Sequence, residues 1–266
     1  MASGRRVTEA FLDTTVFVEI TLREHQRRQA ALERLARYTA TILPTYAIKE
    51  FRAGPLDTYV WFHNLLLQER SLAAAVARSA AEAAFRPNRL RTAVELHAHL
   101  LKEKFPQGES PGQSARRMRL YLRKLVYKSW DMRETVAARR TARLGCFPEE
   151  CPMANLDGQI VLRPIGCVRR ANCSLVDELR SAPEQIGLLL AVVESGPDKR
   201  ENRSRAKALR YLQNFQDSQR FGDRSCRGLG DAVFALTAPA NACILTTNLK
   251  DHAPLAEALG KRAERL

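Results

Sequence analysis

The sequence predicts an α/β fold in which a small parallel sheet is interrupted by a mainly α-helical insertion. Strand–helix patterns occur at both ends of the chain, in residues 1–54 and 227–266, whereas residues 55–226 have a mostly helical pattern. A helical block can be inserted into a loop of an α/β domain when the ends of that loop lie close together. We therefore expect the two terminal parts to form one domain and the middle part to form an insertion.

The N-terminal part contains the signals of two strands and two helices. Residues 7–17 are rich in β-branched and aromatic side chains and are expected to form a buried first strand. An amphipathic helix is expected over 18–39 and a short second strand over 41–44. Thr45 is expected to cap the next helix, which would carry Glu50 in its second turn.

The remaining elements follow from helical periodicity and from turn residues. In the insertion, helices are expected over 61–67, 72–85, 90–101, 114–143, 182–194 and 198–219, with one strand over 159–162. In the C-terminal part, we expect a helix over 231–238, a strand over 243–247 and a final helix over 252–266.

Acidic residues stand at the ends of the predicted strands and at the starts of helices. Asp13 closes the first strand, Glu50 and Asp231 lie early in helices, and Asn248 with Asp251 follows the last strand. Ligand sites of open parallel sheets lie at the carboxyl ends of the strands, and hard cations prefer oxygen ligands. We expect the five side chains to bind Mg²⁺ or Mn²⁺, with the four acids as catalytic residues. Each acid, taken alone, is also explained as a helix cap or by the helix dipole.

The order and context of these residues resemble the PIN-domain nucleases. The similar motifs are Leu12-Asp13-Thr14, Lys49-Glu50-Phe51, Gly230-Asp231-Ala232 and Thr246-Thr247-Asn248-Leu249-Lys250-Asp251. In this family an aromatic residue is commoner at the position of His252. The resemblance covers the two terminal parts and none of the middle. It implies a three-layer α/β/α fold, catalysis with Mg²⁺ or Mn²⁺ and products with a 5′-phosphate. Thr15 and Thr247 would be the small polar residues around the metals.

The resemblance implies an endoribonuclease that hydrolyses single-stranded or structured RNA. It also makes a role as a toxin or defence effector an expectation, with an inhibitory protein as partner. Two alternatives remain. One is an RNA- or protein-binding module derived from a nuclease but without activity, and the other is a DNA-specific nuclease of related fold.

The charge of the chain favours a polyanionic partner. The net charge is +14, and residues 86–143 alone hold 15 basic and 5 acidic residues. Such a concentration of cations is typical of nucleic-acid binding, with a solvated helix face as the alternative. The residues expected to bind RNA phosphates are Arg116, Arg117, Arg119, Arg123, Lys124 and Lys128. A second basic strip contains Lys199, Arg200, Arg203, Arg205 and Lys207. The interleaved Tyr121, Tyr127 and Trp130 fit base stacking, although their helical spacing favours the core.

Four of the six cysteines lie within residues 145–173, a segment that also contains prolines and glycines. They are Cys146, Cys151, Cys167 and Cys173. Four thiolates can hold a structural Zn²⁺, and the spacing is wider than in the usual zinc knuckles. Free buried cysteines are the alternative.

The sequence has no apolar run of the ~20 residues that span a bilayer. The segment after the basic N-terminus contains Glu9, Asp13 and Glu19, which makes it too polar for the core of a signal peptide. We therefore expect a cytoplasmic protein without membrane contact.

Overall fold

The computed structural model describes residues 9–82, 91, 94–95, 110–136, 153–163, 174–214 and 221–266. The chain divides into two compact units. The first, called the sheet unit below, comprises Met1–Glu50, Arg133–Pro148 and Ile165–Leu266. The second, called the helical unit, comprises Phe51–Met132 and Glu149–Pro164.

The described residues form mixed α/β structure. The strands are β1 (Glu9–Leu12), β2 (Ala40–Ile42), β3 (Met153–Leu156), β4 (Gln159–Leu162), β5 (Ala242–Thr246) and β6 (Arg262–Arg265). The helices are α1 (Thr14–Thr21), α2 (His25–Leu35), α3 (Thr45–Phe51), α4 (Asp57–Glu69), α5 (Leu72–Ala81), α6 (Pro111–Val136), α7 (Ser174–Arg180), α8 (Pro183–Ser195), α9 (Arg200–Asn214), α10 (Asp223–Leu229), α11 (Asp231–Thr237) and α12 (Leu249–Ala258). A π-helical turn, Arg52–Leu56, joins α3 to α4.

The sheet unit contains a parallel sheet of four strands in the order β2-β1-β5-β6. In its register, Phe11 of β1 lies opposite Ile42 of β2 and Ile244 of β5. All five residues of β5 are buried, as expected for an inner strand of a parallel sheet. Phe234 of α11 packs edge-on against Phe11, with ring centroids 6.4 Å apart. The prediction of a small parallel sheet shared by the two ends of the chain is therefore confirmed.

The first strand is shorter than predicted. Pairing stops at Leu12, and Asp13 then occupies the N-cap position of α1. The β-branched and aromatic residues 16–18 lie in that helix, and Val16 and Phe17 are completely buried. Burial against the sheet therefore overrides their preference for strands, which is why the prediction of a strand over 7–17 was wrong beyond Leu12.

The end of the chain also differs from the prediction. Helix α12 ends at Ala258, and strand β6 pairs parallel to β5, so the prediction of one helix over 252–266 was wrong. Gly260 has a φ of +64°, which favours glycine. The N–H of Lys261 donates to the carbonyl of Ala256 at 2.9 Å, and that of Gly260 to the carbonyl of Glu257 at 2.9 Å. These two bonds form a Schellman motif, which ends the helix and turns the chain back to the sheet.

The helical unit contains α4, α5, most of α6 and the antiparallel hairpin β3–β4. The hairpin turns at Asp157 and Gly158, which both have positive φ, as a two-residue hairpin turn requires. Asn64 of α4 fixes the hairpin, because its side chain bonds both backbone groups of Ile160, at 2.8 and 3.0 Å. The prediction of a strand over 159–162 is confirmed.

The division into units differs from the predicted insertion of residues 55–226. Helices α7, α8 and α9 belong to the sheet unit, where α9 packs against α8 and α10. Residue Arg205 of α9 is buried and bonds Asp231 of α11, which shows why these helices stay with the sheet. Several predictions lie outside the described residues: the four cysteines at 146, 151, 167 and 173, and most of the helix over 90–101. None of the described helices combines the length and the apolar character needed to cross a membrane.

Lys261 connects the turn before β6 to the C-terminal end of α11. Its Nζ donates to the carbonyl oxygens of Ala235, Leu236 and Ala238 at 2.6, 3.1 and 2.7 Å. We predict that Lys261→Met lowers the free energy of unfolding by about 1.5–3 kcal/mol, because bonds from a charged donor are lost at partly buried acceptors. Urea denaturation measures this. Lys207→Met, at an exposed lysine of α9, is the control, and an equal loss in both variants would contradict a capping role for Lys261.

Candidate functional site

The carboxyl edge of the sheet between β1 and β5 is the candidate site. The sheet has the strand order β2-β1-β5-β6, so β2, the strand that follows β1 in the chain, lies on one side of β1, and β5 lies on the other side. The direction of the chain connections therefore changes between β1 and β5. Clefts form at such switch points, beyond the carboxyl ends of the strands. Asp13 directly follows β1, and Thr246 ends β5.

Asp13 is buried, with a relative exposure of 3%, and is held by hydroxyl groups. Thr15 and Thr246 both donate from Oγ1 to Asp13 Oδ2, at 2.5 and 2.8 Å. Asp13 makes no side-chain cap to α1, so its carboxylate faces these partners instead. Thr15 and Thr247 were predicted as small polar residues around a metal. In the structure, Thr15 and Thr246 supply the two hydroxyls that bond Asp13, and the backbone N–H of Thr247 donates to Thr15 Oγ1 at 3.0 Å.

Glu50 reaches the same site from α3. Thr14 Oγ1 donates to Glu50 Oε2 at 2.6 Å, which joins α1 to α3 directly beside Asp13. Burial raises the pKa of Glu50 to about 7, although the bond from Thr14 opposes this; the charges of Asp13 and Asp231 raise it further. The structure therefore brings Asp13, Glu50 and Asp231 into one electrostatic cluster.

Asp231 is the first residue of α11. Gly230 precedes it with a φ of +51° and a ψ of −127°, a conformation that is essentially restricted to glycine. Arg205 Nη2 donates to Asp231 Oδ2 at 2.8 Å, and Arg205 Nε donates to the carbonyl of Leu229 at 3.2 Å. Burial alone would raise the pKa of Asp231, but bonds and charges from His252 and Arg205 outweigh it and hold the pKa below its usual value.

His252 lies between two of the three acids. Its Nε2 is 3.5 Å from Asp13 Oδ2 and 3.3 Å from Asp231 Oδ1, and the residue is only 1% exposed. Burial lowers the pKa of His252, but the two carboxylates outweigh burial and raise it to about 10. The ring also packs edge-on against Phe234, with ring centroids 5.6 Å apart. At neutral pH, His252 is therefore a cation that separates Asp13 from Asp231.

Asn248 and Asp251, the last two residues of the predicted metal-binding set, lie at the surface of the protein. Asn248 Nδ2 donates to Asp251 Oδ2 at 2.7 Å, and both residues are exposed. The backbone N–H of Asn248 donates to Thr246 Oγ1 at 2.9 Å, which links this pair to the hydroxyl that holds Asp13. Asp251 shares a cavity wall with Asp231.

The three central acids are balanced mainly by cations from the chain itself. His252 and Arg205 supply two positive charges to Asp13 and Asp231, and Glu50 has the raised pKa. Within the described part of the chain, no group of three or more His, Cys, Asp or Glu side chains is arranged to hold a metal ion. The carboxylates bond hydroxyl, imidazole and guanidinium groups of the protein.

Two residues of this centre were not predicted as members. His252 was noted only as a departure from an aromatic residue, and Arg205 only as part of a basic strip. The available signal for the first was a histidine directly after Asp251, at a position where the PIN-domain nucleases more often have an aromatic residue. No local pattern marks Arg205, because it reaches Asp231 through the packing of α9 and not through sequence neighbours.

The basic face of α6 belongs to the helical unit. Five of its six predicted phosphate ligands are exposed: Arg116, Arg117, Arg123, Lys124 and Lys128. Arg119 is half-buried, and burial lowers its pKa, with further lowering by the charges of Arg116 and Arg123. Trp130 is buried, which confirms that it belongs to the core.

Comparisons of the chain with protein-family models, with curated proteins and with solved structures found no match.

Proposed function

We propose that this protein is a metal-dependent endoribonuclease of PIN-like fold that hydrolyses phosphodiester bonds in single-stranded or structured RNA. The observation that carries the proposal is the convergence of Asp13, Glu50 and Asp231 at the switch point of a parallel sheet. The charges of three neighbouring carboxylates repel one another; His252 and Arg205 offset part of that repulsion, and a bound cation would offset it too. Acids gathered at a cleft of this kind are typical of catalytic sites.

The donor atoms suit Mg²⁺ or Mn²⁺, which take oxygen ligands. Asp13, Glu50 and Asp231 would hold the ion, and Asp251 with Asn248 would complete the site from the outer rim. His252 lies beside one oxygen of Asp13 and one of Asp231, and Arg205 bonds the other oxygen of Asp231, so an ion would compete with these two cations for the carboxylates. When bound, such an ion supplies an activated water and stabilises charge on the phosphate.

The residues of the chain itself position these groups. The hydroxyls of Thr15 and Thr246 hold Asp13 in one orientation, and Thr14 does the same for Glu50. Arg205 lies beside Asp231 and is a suitable partner for a phosphate oxygen once Asp231 binds an ion. A fixed set of polar groups lowers the cost of reorganisation during the reaction.

A second candidate is a binding module without catalysis. The observation that favours it is that His252 and Arg205 already neutralise Asp13 and Asp231 without any metal. In this case, the basic face of α6 would bind nucleic acid, and the acidic centre would only stabilise the fold. The two candidates differ in whether the protein binds Mn²⁺ at the acids.

The nuclease proposal predicts cleavage that depends on metal. We expect labelled single-stranded RNA to be cut in Mn²⁺ or Mg²⁺ and to remain intact in EDTA, with 5′-phosphate ends on the products. Parallel assays on single-stranded DNA and on duplex RNA establish the substrate class. DNA cleavage without RNA cleavage would favour the DNA-specific alternative. Absence of cleavage together with absence of Mn²⁺ binding by calorimetry would favour the binding module.

The basic face of α6 is proposed to bind the RNA backbone. We predict that replacing Arg116, Arg117, Arg119 and Arg123 with alanine weakens RNA binding and flattens its dependence on salt. Each lost phosphate contact on a single strand changes the log–log slope by about 0.7. Fluorescence anisotropy at several salt concentrations measures both quantities. Replacing Arg37 and Arg224, two exposed arginines of the sheet unit, is the control, and an unchanged slope in the fourfold variant would contradict the proposal.

A further inference from the structure

A cavity of about 420 Å³ opens beside the acidic centre, within the sheet unit. Asp231 and Asp251 form its wall on the side of the acids. The rest of its lining comes from the end of α8, the start of α9 and the first turns of α12. Its volume lies within the range of roughly 300–1,000 Å³ that is typical of small-molecule sites. We call it the α8–α12 cavity.

One part of the α8–α12 cavity is apolar. Val192 and Val193 of α8 face it together with Pro254 and Leu255 of α12. Val193 and Leu255 are buried, Val192 is half-buried and Pro254 is exposed, so the inner part of this wall belongs to the packed structure. A planar, weakly polar group such as a nucleobase fits a wall of this kind, because its faces are apolar and its edges are polar.

Charged side chains of both signs also line the cavity, with Lys199, Arg205 and Lys250 as the basic ones. Lys199, which precedes α9, and Lys250, in the first turn of α12, both line the cavity and are exposed. Within the described part of the chain, neither lysine forms an ion pair. The acids are partly engaged already, because Asp231 bonds Arg205 and Asp251 bonds Asn248. Glu201 is the third acid of the lining and lies at the exposed start of α9.

From this combination we infer that the α8–α12 cavity receives one unpaired nucleotide of the substrate. The base lies against the valine and leucine wall, and the flanking phosphates contact Lys199 and Lys250. A base that is paired in a duplex cannot enter such a cavity without leaving its stack, so the cavity selects unpaired strands. Because Asp231 belongs both to this wall and to the acidic centre, the bound nucleotide is adjacent to the bond that is cut. The inference rests on the proposed nuclease function, because only a nuclease makes the bound nucleotide part of a substrate that is cut.

The test is binding of small probes to the full-length protein in EDTA, where no cleavage occurs. The probes are the four ribonucleoside 5′-monophosphates, the four ribonucleosides and inorganic phosphate, titrated by calorimetry. We expect the tightest monophosphate to bind at least about tenfold more tightly than its nucleoside or phosphate alone, since base and phosphate sites are occupied together. A monophosphate that binds no more tightly than inorganic phosphate would overturn the inference.

Two pairs of variants locate the binding. Val192→Trp fills the cavity, and Leu188→Trp places the same side chain at an exposed position of the same helix. We expect the first to weaken binding of the monophosphate by about tenfold or more and the second to leave it unchanged. The double variant Lys199→Ala/Lys250→Ala should bind the monophosphate more weakly and the nucleoside with unchanged affinity. The control variant Arg37→Ala/Arg224→Ala should bind both with unchanged affinity. Circular dichroism verifies that each variant is folded. Wild-type affinity in Val192→Trp would overturn the inference.

The outcome is separable from that of the nuclease proposal. Monophosphate binding at this cavity without any cleavage in Mn²⁺ would support the cavity as the nucleotide site of a binding module and would contradict the nuclease proposal. Cleavage in Mn²⁺ with no monophosphate binding, or with binding that Val192→Trp leaves unaffected, would support the nuclease proposal and contradict the nucleotide site in the cavity.

Discussion

Asp13→Asn is expected to reduce RNA cleavage by roughly 10³-fold while the protein still folds. Asp13 is the most deeply buried of the three central acids, and it is the one that two hydroxyls and His252 fix in place. Asparagine keeps the shape and one acceptor oxygen, so both hydroxyl bonds can persist. The negative charge that would hold a divalent ion is lost. Initial rates in Mn²⁺ at equal protein concentration measure the effect.

The same cleavage assay on variants of two acids in α12 provides the comparison for the rate of Asp13→Asn. Asp251→Asn should have a smaller effect, because Asp251 is exposed and bonds only Asn248 among the contacts described for its side chain. Glu257→Gln, at an exposed position later in α12, should cleave at the wild-type rate. We expect Asp13→Asn to lose about 1–3 kcal/mol of unfolding free energy, since the buried carboxylate is bonded. A folded Asp13→Asn protein that cuts RNA at the wild-type rate would exclude this centre as the catalytic site.

His252→Phe is expected to increase the affinity for Mn²⁺ by between about tenfold and a hundredfold at pH 7. In the wild type, the charged imidazole lies between Asp13 and Asp231, and a metal ion has to take over its partners. Phenylalanine retains the aromatic packing against Phe234 but has no charge. The metal-free variant should lose about 3 kcal/mol of unfolding free energy, because Asp13 loses its cationic partner and Asp231 keeps only Arg205.

The higher Mn²⁺ affinity and the lower free energy of unfolding of His252→Phe both follow from the loss of the imidazole charge, so we expect the two effects to occur together. Saturating Mn²⁺ should restore most of the lost stability, since an ion that binds only the folded state stabilises it. His63→Phe is the matched control, because His63 is also buried but bonds Asn64 of the helical unit instead of a carboxylate. Its stability loss should be independent of Mn²⁺. Equal Mn²⁺ affinities for the wild type and His252→Phe would show that His252 does not compete with the ion.

The position of the acidic centre could be predicted from the sequence because it depends on chain order and on strand ends. Asp13 follows an apolar segment that had to be a strand, and Asp231 follows a glycine before an alanine-rich helix. Parallel pairing of β1 with β5 then brings the two acids together. The strand ends themselves were predicted less well, since Val16 and Phe17 satisfy a strand pattern but are buried on a helix.

The partners of the acids could not be predicted in the same way. Arg205 reaches Asp231 only because α9 packs against α10, and helix packing of this kind leaves no periodic signal in the sequence. The last strand was missed because residues 262–265 are mostly charged, as edge strands often are. Gly260 was the available sign that the helix ended before it.

Pairing of β1 with β5 joins segments that are more than two hundred residues apart in the chain. During synthesis at about 5–20 residues per second, the N-terminal strand waits roughly 10–50 s for its central partner. Over that interval Asp13 lacks Thr246, Asp231 and His252, all of which come from the late segment. The nascent chain therefore holds an incomplete acidic centre until residues 231–252 have been synthesised and have left the ribosome.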